Sequence, residues 1–175
     1  MGAADIAAAV RRTEEVLRRR PGAALQPDSP AICRWIGGVS VATGDGSGRE
    51  VITDLPAALG GGGEALTPGW LSRAGLAACT ATCIAMLAAK ESIELTKLEL
   101  EARSRSDTRG LFRMATDTGP IDPGPRDVVL SVRIAAHNAS PDRLRSLVEA
   151  AYAISPVLSV FEKATPVTLS VETDP

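Results

Sequence analysis

Three cysteines, Cys33, Cys79 and Cys83, are the side chains of this 175-residue sequence best suited to covalent chemistry. The reacting form is the thiolate, so a working cysteine needs surroundings that lower its pKa. In an alanine-rich helix a free cysteine serves equally as a small apolar filler, and that reading is kept for Cys83, one turn beyond Cys79 in "LAACTATC". Two residues one turn apart on a regular helix point in nearly parallel directions, which makes Cys83 a poor disulfide partner for Cys79. Cys33 has no fixed relation to Cys79 by spacing. The single histidine, His137, has no Cys or Asp cluster at ligand spacing around it, so neither a metal nor another cofactor is expected. Gly60 to Gly63 form a run of four glycines. It lacks the Lys-Ser/Thr ending of a phosphate loop and the spacing of a dinucleotide fingerprint, and reads as a hinge or a close-packed loop.

The elements that must position these groups are legible from period and punctuation. Residues 4–20 hold helix formers and end in arginines, where cations suit the helix dipole, before Pro21 and Gly22 stop the run. The arginines read as a solvated helix end, not a phosphate site. Between Ala31 and Thr53, "VSVAT" and "EVITD" flank "GDGSG", which predicts two or three antiparallel strands. Thr67 and Pro68 predict a helix start. That helix runs to about Lys90 and is apolar on nearly every side, which predicts a buried central element in which Gly75 permits a close helix approach. "IELTKLELEARS" and "DVVLSVRIAAH" alternate as strands, with an irregular connection over 104–126. Ser140-Pro141 opens another helix, Ser155-Pro156 interrupts it and restarts a short one through Lys163, and "PVTLSVE" predicts a closing strand. Strands in runs, not in regular βαβ alternation, indicate α+β.

Composition narrows the partners. Net charge is -2, with no global positive field to attract nucleic acid or an anionic membrane. The apolar stretch 66–89 carries Arg73, Gly75 and several Ser and Thr residues, and reads as a buried helix instead of a span. No secretory leader pattern is read at the N-terminus and the cysteine count is odd, which suits a reducing cytoplasm.

The combined order resembles the OsmC/Ohr family, the osmotically inducible and organic-hydroperoxide-resistance proteins. "GGGGEALTPGWLSRAGLAACTATCIAMLAAKESIEL" is similar to the family's glycine loop, Pro-started helix, embedded cysteine and following strand. "GLF", "VVLSVRIAAHNASPDRLRSLVEAAYAISPVLSVF" and "ATPVTLSVE" resemble its hairpin, second helix pair and last strand. The resemblance implies a long central helix wrapped by antiparallel sheets in an intertwined homodimer, with residues 1–22 as an N-terminal helical extension and 23–175 as one OsmC-like domain. It also implies peroxide reduction through two cysteines.

Residue by residue, the resemblance places the reactive cysteine at Cys79. Where the family carries its second cysteine in Cys-Pro-Val, this sequence reads Ser155-Pro156-Val157. A hydroxyl cannot form the resolving disulfide, so the two-cysteine cycle cannot close there. The peroxidase subgroups also carry a glutamate shortly after the helix-starting proline, paired with an arginine that activates the thiol. Here Gly69 and Trp70 follow Pro68. Glu64 stands just before the helix as a substitute carboxylate, and Arg34 and Arg49 are the arginines to weigh. Trp35 and Trp70 are read as pocket lining or core. Two functions follow: a stress-response thiol peroxidase of one-cysteine type, taking an organic hydroperoxide and an external thiol reductant, or a non-catalytic dimer that binds a small apolar molecule or acts as a scaffold.

Overall fold

The computed structural model describes residues 2–163 and 165–173. Helix α1 (Ala3–Arg19) opens with Asp5 in its first turn and closes with Arg18 and Arg19 in its last, the charge order its dipole favours. It lies along the central helix α2 (Pro68–Lys90), with Ala7 buried, and the Lys90 ammonium is hydrogen-bonded to Glu14. That ammonium holds the Glu14 carboxyl below its ordinary range.

Strands β1 (Ile32–Gly37), β2 (Ser40–Gly44) and β3 (Glu50–Thr53) form an antiparallel three-stranded sheet in sequence order. Its second turn falls in "GDGSG", where Gly46 and Gly48 take left-handed backbone angles. The Asp45 carboxylate accepts the Ser47 N–H at 2.9 Å there. Thr53 then pairs with Leu66 in a single parallel bridge just ahead of α2.

The Thr67 hydroxyl accepts the Trp70 N–H at 3.1 Å and Pro68 occupies the first turn, so α2 begins where the sequence marks it. Beyond it, β4 (Leu95–Ser106) pairs antiparallel with β7 (Pro125–Ala136), placing Leu98 opposite Ile134 and Leu100 opposite Val132. The connection between them holds a single helical turn, α3 (Thr108–Leu111), and a minimal hairpin of β5 (Ala115–Thr116) and β6 (Gly119–Pro120). Helices α4 (Pro141–Ala153) and α5 (Pro156–Glu162) close the chain over α2.

The core lies on one side of α2. Ile84, Ala88, Ile93, Leu144, Leu147 and Ala151 are buried together, with Leu98, Leu100, Val132 and Ile134 packed against them from the ribbon. By composition α2 is long and apolar enough to cross a membrane, with a mean hydropathy of 1.5, yet it packs against α1, α4, α5 and β4.

Three expectations need correction. The central helix is not covered all round in the single chain: Leu76, Thr80, Ile84 and Ala88 are buried, but Trp70 and Met86 stay exposed. Gly75 approaches nothing, since a Cβ there would meet open space. The closing strand is also absent: the described residues 165–173 form no strand, and Leu169 is 84% exposed.

Candidate functional site

Cys79 lies on α2 with its side chain half-buried, in a stripe with Gly75, Thr82 and Met86, none of which is fully buried. Cys83, one turn on, packs against the buried core cluster. Burial pushes the Cys83 thiol up, and the neighbouring Cys79 adds to the rise. Cys33 is far more open; on β1, its Sγ lies 3.2 Å from the Thr43 Oγ1 across the sheet.

Ser155 sits one residue before α5, where serine ordinarily caps a helix, yet its hydroxyl makes no capping bond. Instead it lies 3.2 Å from the Thr80 Oγ1, and the Thr80 hydroxyl also donates to the Leu76 carbonyl at 3.0 Å. Thr80 is 0% exposed and Ser155 3%, so the two hydroxyls satisfy each other inside the core and tie α5 to α2. The side chain at the missing-cysteine position is therefore bonded to the residue beside Cys79 and not to the Cys79 sulfur. Thr80 went unread in the sequence. Its signal was a β-branched hydroxyl in the middle of an otherwise apolar helix, which must find a partner when buried.

The charged residues weighed for thiol activation are engaged elsewhere in this chain. Arg34 on β1 pairs with Glu50 on β3 at 2.6 Å, Arg49 pairs with Asp45 in the turn, and Glu64 is exposed in the loop before α2. On α2 itself stands Arg73, whose Nη1 donates to the Ser104 Oγ at 3.3 Å. Together with Trp70, Ala74, Ala77 and Leu100 it lines a cavity of about 290 Å³ between α2 and β4. Trp35 is 75% exposed and its Nε1 donates to the Gly38 carbonyl at 2.9 Å.

The glycine run is a close-packed loop built around one acid. The buried Asp54 carboxylate accepts N–H groups from Leu55 at 2.8 Å, Gly62 at 2.7 Å and Gly63 at 3.1 Å. The Leu55 N–H, followed by Gly62, Ser40 and Gly63, holds this carboxyl below its ordinary range against the opposing effect of burial. At Gly61 a Cβ would stand 1.8 Å from the Leu55 carbonyl oxygen, so only glycine fits. The loop thus binds its own carboxylate and sets the angle at which the chain enters α2. Among the described residues no group of three or more His, Cys, Asp or Glu side chains converges to hold a metal.

Residues 61–170 match the OsmC-like protein family, well over half of the 175 residues. The chain belongs to the OsmC family. Solved structures agree on the fold. An OsmC-like protein from Mycoplasma pneumoniae superposes with a TM-score of 0.65 at 15% identity, over 80% of this chain and 91% of that one. An organic hydroperoxide resistance protein OsmC from Legionella pneumophila gives 0.54 at 21% identity, over 78% and 91%. The organic hydroperoxide resistance protein OhrB of Bacillus subtilis gives 0.51 at 19% identity, over 79% and 93%. No curated protein matches by sequence. In this OsmC family member the Pro68-started helix and the Pro156-started one meet through the Thr80 and Ser155 hydroxyls.

Proposed function

We propose that this OsmC-like protein is a one-cysteine thiol peroxidase that reduces organic hydroperoxides through Cys79 and acts as a homodimer in the reducing cytoplasm. The observation that carries the reading is the placement of Cys79 on the uncovered stripe of α2, half-open to a substrate, while the residue after it is locked into the core. The Cys79 thiolate attacks the hydroperoxide oxygen distal to carbon. The O–O bond breaks, the alkoxide takes a proton and leaves as the alcohol, and Cys79 becomes a sulfenic acid. Because Ser155 cannot resolve it, an external thiol condenses with the sulfenic acid, releasing water and giving a mixed disulfide. A second external thiol then displaces Cys79 and leaves as the oxidised disulfide.

A second copy is proposed as the cover for what one chain leaves open. Trp35, Ile36 and Ile52 on the three-stranded sheet and Val167, Leu169 and Val171 in the tail are all exposed. That is more apolar surface than isolated surface residues account for. Arg34, or Arg49, and Glu64 retain a role as thiol activators only if that second copy rearranges their surroundings. The alternative, a non-catalytic dimer that binds a small apolar molecule, is favoured by one feature. Ile6, Val10, Leu17, Met86, Leu87 and Ile154 line an apolar cavity of about 510 Å³ between α1 and α2.

The deciding experiment is consumption of an organic hydroperoxide with and without a small dithiol. The expected result is about one equivalent consumed per chain without thiol and continuous turnover with it, both abolished by Cys79→Ser. No consumption by the wild-type chain, with Cys79 unmodified by mass spectrometry, would leave the binding reading in its place.

A further inference from the structure

Arg73 on α2 is a half-buried cation that no acid of its own chain answers. Its Nη1 donates to the Ser104 hydroxyl at 3.3 Å, and among the described residues it forms no ion pair. A guanidinium brings five N–H donors and a positive charge, and a charge taken part-way out of water calls for an opposite one beside it. Glu101, the one acid on the cavity that Arg73 lines, is held instead by Arg103 at 2.7 and 2.9 Å. Gly69, one turn earlier on the same helix, supplies nothing. A Cβ built there would stand 3.8 Å from the Arg73 Nη1, so a side chain at that position would reach the guanidinium directly.

The cavity restricts what can stand there in its place. Trp70, Ala74, Ala77 and Leu100 give it an apolar wall, and its volume of about 290 Å³ lies at the small end of ligand sites. One planar guanidinium matches one planar carboxylate, which it grips through two parallel N–H···O bonds. A phosphate dianion would keep an unmatched charge near Glu101 and would make no use of the apolar wall.

We propose that Arg73 anchors a small monocarboxylate whose flat apolar body rests against Trp70, in the cavity between α2 and β4. The carboxylate takes the place beside Nη1 that Gly69 leaves open, and the aliphatic wall covers the rest of the ligand. This site is distinct from the thiol. Arg73 and Cys79 are six residues apart in sequence, which sets them about 120° apart round the helix.

The test is isothermal titration of the protein with sodium benzoate, with no peroxide present, which separates it from any test of the peroxidase reading. One benzoate per chain is expected for the wild type. Arg73→Gln should weaken binding about 10- to 100-fold, the worth of a charge-assisted hydrogen bond. Arg73→Lys keeps the charge without the fork and should fall between the two. Gly69→Glu supplies a carboxylate one turn from Arg73 and should block the site by filling it. Because an acid near a helix start favours folding, this variant still decides the matter if Arg73→Gln does not fold. No saturable binding at millimolar benzoate, affinity unchanged in Arg73→Gln or Gly69→Glu, or inorganic phosphate bound as tightly as benzoate would overturn the site.

Discussion

The two stripes of α2 differ by one residue in register and by nearly everything in environment. Leu76, Thr80, Ile84 and Ala88 are buried against α4, α5 and the β4–β7 ribbon, with their only polar group matched by Ser155. Gly75, Cys79, Thr82 and Met86, a hundred degrees round the helix, are half-buried or exposed. The buried stripe has the marks of a finished core, its one polar side chain partnered. The open stripe carries the Cys79 thiol and a glycine with empty space above it. Stability and reactivity are therefore separated on one helix, and a substitution should reveal which stripe it touches by whether it moves folding or chemistry.

The largest effect expected is on the buried stripe. Ile84→Ala removes a fully buried side chain from the centre of the cluster and should lower unfolding free energy by about 2–5 kcal/mol, read by urea denaturation. A loss well under 1 kcal/mol would mean this stripe is not the core. Next comes the hydroxyl pair. Thr80→Val strands the Ser155 hydroxyl in the core and should cost about 1–3 kcal/mol, while Thr80→Val with Ser155→Ala should recover much of it. Strict additivity in that double-mutant cycle would break the claim that the two act as a unit.

The open stripe should respond in the opposite way. Gly75→Leu meets no neighbour in its own chain and replaces a poor helix former, so the folded chain should gain up to about 1 kcal/mol. If a second copy seats on this stripe, the same variant weakens association, and sedimentation reads that separately from melting. A smaller effect concerns the loop that leads into α2. Asp54 titrates below its ordinary range when folded, so its contribution is present above the ordinary carboxylate pKa and is lost as pH falls through the depressed folded value. The melting temperature should drop over that acid window, and Asp54→Asn should flatten the drop. Smallest of all, Arg34→Ala breaks an exposed pair with Glu50 and should shift stability by no more than about 0.5 kcal/mol in the isolated chain.

Much of this layout was legible before any coordinates, because it is encoded locally. Thr67-Pro68 and Ser140-Pro141 mark helix starts that the backbone adopts, and the alternation through Leu130, Val132 and Ile134 is the buried side of β7. What escaped depends on residues distant in sequence. Ser155 carries the local signature of a cap, and nothing local says its hydroxyl turns to a threonine on another helix. The glycine run reads as permissive backbone, whereas the reason for Gly61 is the Asp54 carboxylate and the Leu55 carbonyl folded against it. The alternation of "PVTLSVE" is a true strand pattern, yet the described residues 165–173 pair with no strand of the chain. Cys79 was found through resemblance, since a cysteine in an alanine-rich helix looks the same whether it reacts or merely packs.

The central claim, that the open stripe of α2 carries an activated thiol, is tested most directly by the labelling rates of the three cysteines with a thiol probe at neutral pH, resolved by peptide mass spectrometry. Exposure alone ranks Cys33 first, because it is the exposed one. An activated Cys79 predicts the reverse, with Cys79 labelled first, Cys33 later and Cys83 slowest because burial disfavours its thiolate. Labelling that follows exposure, with Cys33 fast and Cys79 inert, would contradict the account.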